Sequence, residues 1–256
     1  MTDQSETISS NWFSQLAHPG MFMRWSAYLI WPLGLLSIVL FAVGLWFAFF
    51  HSPADYQMGE TVRIMYVHVP NAWLSQFCYG LMAVSAVGTL VWRHPMADVS
   101  MKAAAPLGAA FTAMALVTGS LWGRPTWGTF WEWDGRMTST LILFLIYLGL
   151  IALWRTFEDQ LRAAKVVAVL TLVGAVNIPI IKFSVDWWNT LHQPSTFFRA
   201  DGPKAPASII TPLLTMTLAF TVLFLLLHLL RMRTEVTKRK ADRLEHLKIA
   251  RQQKGA

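Results

Sequence analysis

The sequence contains very little cysteine and very little charge. Its 256 residues include a single cysteine, Cys78, and only 14% of them are charged. One thiol cannot form an internal disulfide, and neither a CxxCH nor a paired CxxC motif is present. These absences argue against thioether-attached haem, dithiol redox chemistry and cysteine-based zinc clusters on this chain. We expect Cys78 to pack inside an apolar helix.

The sequence also lacks a GxxxxGK[ST] phosphate-binding loop, so any use of ATP is expected in another chain. Its apolar segments lack Asp, Glu, Lys and Arg, which often line the path of a transported solute. This absence argues against a polar translocation path, although an apolar route remains open. A binding surface is the better expectation.

Hydrophobic residues are abundant: they make up 55% of the chain, and the mean hydropathy is +0.43. A bilayer core about 30 Å thick requires roughly 20 apolar residues as a helix. Six segments meet or approach that length, although the fifth is short and contains Asn177 and Pro179. We predict an all-α integral membrane protein with one domain over residues 1–256. Its six transmembrane helices are predicted at about 26–50, 71–92, 103–122, 137–154, 166–181 and 205–230.

The polar start of the chain and the long first apolar run argue against a cleavable signal peptide. Six spans place both termini on one side, which holds fifteen Lys and Arg residues against six on the other. The positive-inside rule predicts cytoplasmic termini. The tail at 231–256 decides this orientation, because each side has six basic residues without it. With nine basic, three acidic and no aromatic residues, the tail is expected to be a solvated helix near anionic headgroups rather than a nucleic-acid-binding surface.

Three segments on the opposite, outer face hold most of the unusual chemistry. "RIMYVHVPNAW" places His68 two residues before Pro70, and "SVDWWNTLHQPST" places His192 two residues before Pro194. Between them lies "WGRPTWGTFWEWDGR", which has four tryptophans and three glycines. An aromatic belt explains tryptophan at a membrane surface but not this density. We predict a loop at 122–136 whose glycines let the backbone turn.

Two imidazoles and several indoles on one face indicate a flat apolar macrocycle with a central metal, which is haem. The candidate axial ligands are His68 and His192, although chemistry alone leaves His51 as an alternative. Arginines suit the two propionates, and the candidates are Arg124, Arg136 and Arg199. Asp134 either caps the fourth helix or orients a ligand, and the pattern favours neither role. The predicted platform consists of Trp122, Gly123, Trp127, Gly128, Phe130, Trp131, Trp133 and Asp134.

The tryptophan-rich segment resembles the WWD signature of the haem-handling proteins of cytochrome c maturation. With six helices and both histidine segments, residues 20–235 are similar to the CcmC family, haem exporter protein C. The resemblance implies transient, non-covalent binding of b-type haem at the periplasmic face of the bacterial inner membrane. It selects His68 and His192 over His51 as the axial pair. It also implies delivery to the periplasmic haem chaperone CcmE, and association with the ABC transporter subunits CcmA and CcmB and the small subunit CcmD.

Two other functions compete with haem transfer. A haem b electron-transfer protein commonly holds a second histidine pair in the bundle, yet among the terminus-side histidines only His228 lies within a span. A structural subunit of an ABC complex leaves the outer-face residues unexplained. We therefore expect a haem-binding and transfer protein, with a lyase-like role at most.

Overall fold

The computed structural model describes residues 18–56, 58–188, 190–192 and 205–255, and its regular structure over these residues is helical. Helix α1 continues as a π-helical turn at Phe47–His51, and a 3₁₀ turn at Glu60–Ile64 leads into α2. The helices are α1 Pro19–Trp46, α2 Met65–Leu90, α3 Ala97–Trp127, α4 Gly135–Thr156, α5 Gln160–Gly174, α6 Asn177–Trp187 and α7 Ala207–Gly255. The all-α prediction is confirmed.

Six helical stretches are long and apolar enough to cross a membrane, as predicted. The fifth stretch, Gln160–Trp187, combines α5 and α6, which are separated by a break at residues 175–176. On each side of the break, a side chain of one helix donates a hydrogen bond to a backbone carbonyl of another helix. Tyr79 donates to the Thr171 carbonyl (3.0 Å), and the Asn177 side chain donates to the Ser139 carbonyl (2.9 Å). A helix can therefore be interrupted here without leaving these polar groups unpaired inside the membrane.

Helix ends differ from the ends of the apolar runs. Helix α2 begins at Met65 rather than near residue 71, and α7 continues through the basic tail without interruption. Helix α3 extends to Trp127, so the prediction of a loop from residue 122 is wrong for its first six residues. The non-helical segment is 128–134. It begins where Gly128 adopts a left-handed conformation (φ 79°) and ends where Asp134 caps α4, because caps rather than hydropathy set helix ends.

The largest buried cluster packs helices α2, α3, α4 and α5 against one another. Tyr79 and Tyr147 meet edge to face with 5.4 Å between ring centroids, and Tyr147 donates to the Ser75 carbonyl at 2.7 Å. Gly108 lies directly against the Tyr147 ring and leaves no room for a Cβ atom. Cys78 is fully buried in the same cluster, as expected of a packing residue.

Two smaller clusters define the ends of the bundle. At the end that holds the start of α1, which we call the basal end, Phe22 of α1 packs with Met96 and with Met232 of α7. At the opposite end, which we call the apical end, Ala48 packs with Met65 and Met216. The start of α1 and the base of the tail therefore lie at the same end of the bundle, as six spans require.

Candidate functional site

A cavity of about 270 Å³ lies at the apical end between α2, α3, α4 and α6. His68 of α2 and His192, which follows α6, both line it. Two cations, Arg136 and Lys182, line it as well. The structure thus brings together the two histidines that the sequence predicts as a pair, although they come from distant parts of the chain.

His68 is fixed by helix α3. Its Nδ1 atom lies 3.0 Å from the Ala115 carbonyl oxygen and 3.2 Å from the Thr118 hydroxyl. Because a carbonyl can only accept, Nδ1 carries the proton and donates it. The Nε2 atom then keeps its lone pair, and it has no hydrogen-bond partner among the described residues. Gly119 makes room for the ring, since a Cβ atom there would lie 2.9 Å from the His68 Cε1 atom.

His192 is fixed by Asp134. Its Nδ1 lies 2.6 Å from Asp134 Oδ2, and the Thr190 hydroxyl donates to the same oxygen. The His192 backbone N–H in turn donates to the Thr190 hydroxyl at 3.0 Å. The other oxygen, Oδ1, accepts the Met137 N–H at 2.7 Å and so caps α4. Asp134 therefore caps α4 and also binds the candidate ligand His192.

The electrostatics favour a neutral imidazole at His192. Burial lowers its pKa below the ordinary value, although the hydrogen bond to Asp134 opposes this shift. Burial by itself would raise the pKa of Asp134. The bonds from Met137, Thr190 and His192 outweigh burial and hold that pKa below its usual range. The pair is thus a carboxylate and a neutral Nδ1–H imidazole at neutral pH, a state that leaves the Nε2 lone pair available.

Two tryptophans of the segment, Trp122 and Trp127, contact the histidines from outside the cavity wall. Trp122 meets the His68 ring edge-on, with 5.7 Å between ring centroids, and Trp127 meets the His192 ring at 4.7 Å. Trp127 can fold back because residue 123 is glycine, where a Cβ atom would lie 3.0 Å from the indole. The cavity wall does include Trp73 of α2.

Further along the segment, Trp131 and Trp133 pack edge to face, with 5.4 Å between ring centroids. Phe130 and Trp133 are exposed, at 55% and 72%. They therefore present aromatic surface outside the cavity, where a flat ligand or a partner protein can contact them.

The three arginines predicted to bind the propionates differ in where the structure places them. Arg136 lines the cavity, donates to the Lys182 carbonyl at 3.4 Å, and has a buried Nε without a partner among the described residues. Arg124 instead donates to the Gly128 carbonyl, lies over the Phe130 ring and is absent from the cavity wall. Arg199 lies outside the described residues. Sequence reasoning missed Lys182, although a cation at the end of an apolar run is a detectable signal.

His51 does not share this site. It lies exposed at the end of the π-helical turn, where its ring contacts Phe47 (5.4 Å between centroids) and Trp46. It does not line the cavity.

Comparison with known proteins gives a consistent result. The sequence model of the family CcmC, "Heme exporter protein C", matches residues 12–247. The chain belongs to the CcmC family. Heme exporter protein C of Bradyrhizobium diazoefficiens is 57% identical over 236 residues, which cover 92% of this chain and 89% of the relative. The Escherichia coli K12 protein of that name is 46% identical over 219 residues, covering 86% and 88%. A putative cytochrome c biosynthesis ccmC-like mitochondrial protein of Marchantia polymorpha is 44% identical over 209 residues, covering 80% and 87%.

Proposed function

We propose that the protein binds haem at the periplasmic face of the bacterial inner membrane and transfers it to the chaperone CcmE. One observation carries this proposal: His68 and His192 line one cavity, each with Nδ1 bonded to a neighbour and with no partner for Nε2 among the described residues. Iron-ligating histidines are held in this manner, because the Nδ1 bond sets the tautomer and the ring orientation. The family name, heme exporter protein C, refers to the same cargo.

The remaining residues fit haem. Arg136 and Lys182 supply two cations for the propionates. The N–H groups of Arg136 Nε and Trp122 Nε1, which have no partner in the described part of the chain, supply further donors near the histidines. Trp73 contributes an aromatic wall, while Phe130, Trp131 and Trp133 extend the apolar surface beyond the cavity. The haem is b-type and held without thioether bonds, since the only cysteine is buried in the helical core.

The size of the site favours transfer over permanent storage. Pockets that enclose small molecules have volumes of roughly 300–1,000 Å³, and this cavity has about 270 Å³. It therefore holds part of the macrocycle and leaves an edge open to the acceptor. His68 is part of a helix, whereas His192 belongs to a short non-helical segment held by side-chain bonds. His192 is thus the ligand that gives way while the ligand of CcmE approaches.

The proposed setting follows from the charge pattern and the family resemblance. The termini and the basic tail face the cytoplasm, and the cavity faces the periplasm. CcmA, CcmB and CcmD are the proposed partners. ATP hydrolysis belongs to the transporter subunits, since this chain has no nucleotide-binding motif.

The electron-transfer alternative has little support. His228, the terminus-side histidine within a span, stacks on Phe224 with 5.4 Å between ring centroids. Its Nε2 lies 3.2 Å from the Ser100 hydroxyl. Its contacts are those of a packed core histidine, so it does not provide half of a second axial pair.

Optical and resonance Raman spectra of the purified protein with haem test the proposal. We expect six-coordinate, low-spin haem in the parent and loss of haem or five-coordinate haem in His68→Ala and His192→Ala. His51→Ala is the matched control, because it removes an imidazole outside the cavity, and it should retain the parent spectrum. A parent-like spectrum in His192→Ala would exclude that residue as a ligand. Transfer is then measured as covalent haem on CcmE.

A further inference from the structure

A second cavity, of about 140 Å³, lies at the basal end between α3 and α7. Its lining residues are Lys102, Ala103, Arg231, Thr234 and Glu235. Arg231 is the first charged residue after the long apolar run of α7. The cavity therefore lies where the apolar part of the span gives way to the headgroup layer.

The acidic group in this cavity is already neutralised. Glu235 Oε1 accepts hydrogen bonds from Lys102 Nζ and from Arg239 Nε, each at 2.8 Å. Arg239 also binds Asp98 at 2.7 Å. Two carboxylates are thus matched by two cations, and the charge of Arg231 is in excess.

Arg231 has unused hydrogen-bonding capacity. Its Nε donates to the Ala103 carbonyl at 3.2 Å, which fixes the guanidinium at the edge of the cavity. The four N–H groups on its two Nη atoms have no partner in the part of the chain that the structure describes. Lys102 uses two of its three N–H donors, toward Glu235 and Gln160. Together they present donors and net positive charge to a small cavity.

We propose that this basal cavity binds a phosphate group, supplied by an anionic phospholipid of the adjoining leaflet or by free phosphate. The Arg231 guanidinium matches two oxygens of a phosphate, and the Lys102 ammonium adds a point charge. Basic pockets between transmembrane helices at headgroup depth are typical sites for such groups. Thr234 contributes a wall, because its hydroxyl donates to the Leu230 carbonyl at 2.9 Å.

The test compares Arg231→Gln with Arg243→Gln, which removes the same charge from an exposed position of α7 outside the cavity. Each purified protein is titrated with phosphatidylglycerol in phosphatidylcholine nanodiscs, and native mass spectrometry counts the retained lipid. We expect the parent and Arg243→Gln to retain one phosphatidylglycerol. Arg231→Gln should bind it about tenfold more weakly. Glutamine can still donate to the Ala103 carbonyl, so an unchanged melting temperature in pure phosphatidylcholine is the check on folding.

The second arm repeats the titration with inorganic phosphate in detergent, following the melting temperature. Stabilisation by phosphatidylglycerol alone identifies a lipid, whereas equal stabilisation by inorganic phosphate identifies a soluble phosphate. If Arg231→Gln does not fold, Arg231→Lys tests the proposal instead. Lysine keeps the positive charge but lacks the two-pronged guanidinium, so this variant should bind several-fold more weakly. Parent-like binding in Arg231→Gln or Arg231→Lys, or an equal loss in Arg243→Gln, would overturn the proposal.

Discussion

Two buried aspartates at opposite ends of the bundle each bind a backbone N–H and a basic side chain, but their basic partners differ. Asp98, at the start of α3, and Asp134, just before α4, are each 7% exposed. Each accepts a backbone N–H with Oδ1 and binds a basic side chain with Oδ2. The partner is Arg239 at the basal end and His192 at the apical end.

The difference between the partners explains the difference between the ends. Arginine has no acceptor atom and stays charged, so the ion pair between Asp98 and Arg239 leaves no acceptor on Arg239 and serves to join α3 to the tail helix. A neutral imidazole that donates from Nδ1 still has an acceptor at Nε2, so Asp134 orients a group that can bind something else. A buried acid at a helix start can therefore have a structural or a functional role. The role depends on whether its basic partner retains an atom that can bind a further group.

The largest effect on haem affinity is expected when the carboxylate of Asp134 is replaced by an amide. Asp134→Asn is expected to weaken haem binding about 10- to 100-fold, because the imidazole loses its charged acceptor. Asparagine also caps helices well, so the melting temperature should change little. Haem titration followed by absorbance gives the affinity, and a spectrum that shifts toward five-coordinate haem distinguishes positioning of His192 from general unfolding.

Asp98→Asn is the counterpart at the basal end. It should leave haem affinity unchanged and cost about 2 kcal/mol of stability, since the partly buried Arg239 loses one of its two carboxylate partners. Thermal melting with and without haem checks both values. A comparable loss of haem affinity in Asp98→Asn would show that the two ends are not separable.

Gly119→Ala should have the next largest effect, about a tenfold loss of haem affinity, because its Cβ atom would push the His68 ring from its place. Gly149→Ala is the matched control: it also replaces a helical glycine, but a Cβ atom there meets nothing within 4 Å. The control should keep full affinity and gain up to about 1 kcal/mol of stability. Equal affinities in the two variants would mean that contact with α3 does not position His68.

Thr190→Val should have the smallest effect, about a fivefold loss of haem affinity, because it removes one hydrogen bond to Asp134 and the support of the His192 backbone. Ser100→Ala removes a hydroxyl of similar environment beside His228 and should cost about 1 kcal/mol of stability without affecting haem. Absorbance titration and melting of both variants test the pair. The distinction fails if Ser100→Ala weakens haem binding as much as Thr190→Val.

The sequence predicted the spans, the types of residue in the site, and the end of the bundle at which the site lies. It could do so because membrane immersion and aromatic density are properties of local sequence. The positions of the helix ends could not be predicted, because hydropathy indicates where the lipid begins, whereas capping residues determine where a helix ends. Trp127 therefore proved helical, and His68 lies within α2 rather than ahead of it. Thr190 was missed because nothing in its local sequence distinguishes it, whereas Lys182 was missed although it is a cation at the end of an apolar run.

The sequence by itself determined six apolar helices and the family, and it predicted the two histidines that the structure brings to one cavity. Only the tertiary structure decided what each residue of the site does. It showed that Asp134 both caps α4 and binds His192, that Gly119 makes room for His68, and that Trp122 and Trp127 support the histidines. The reason is physical: apolar periodicity acts over neighbouring residues, whereas these contacts join segments that only helix packing brings within hydrogen-bonding distance.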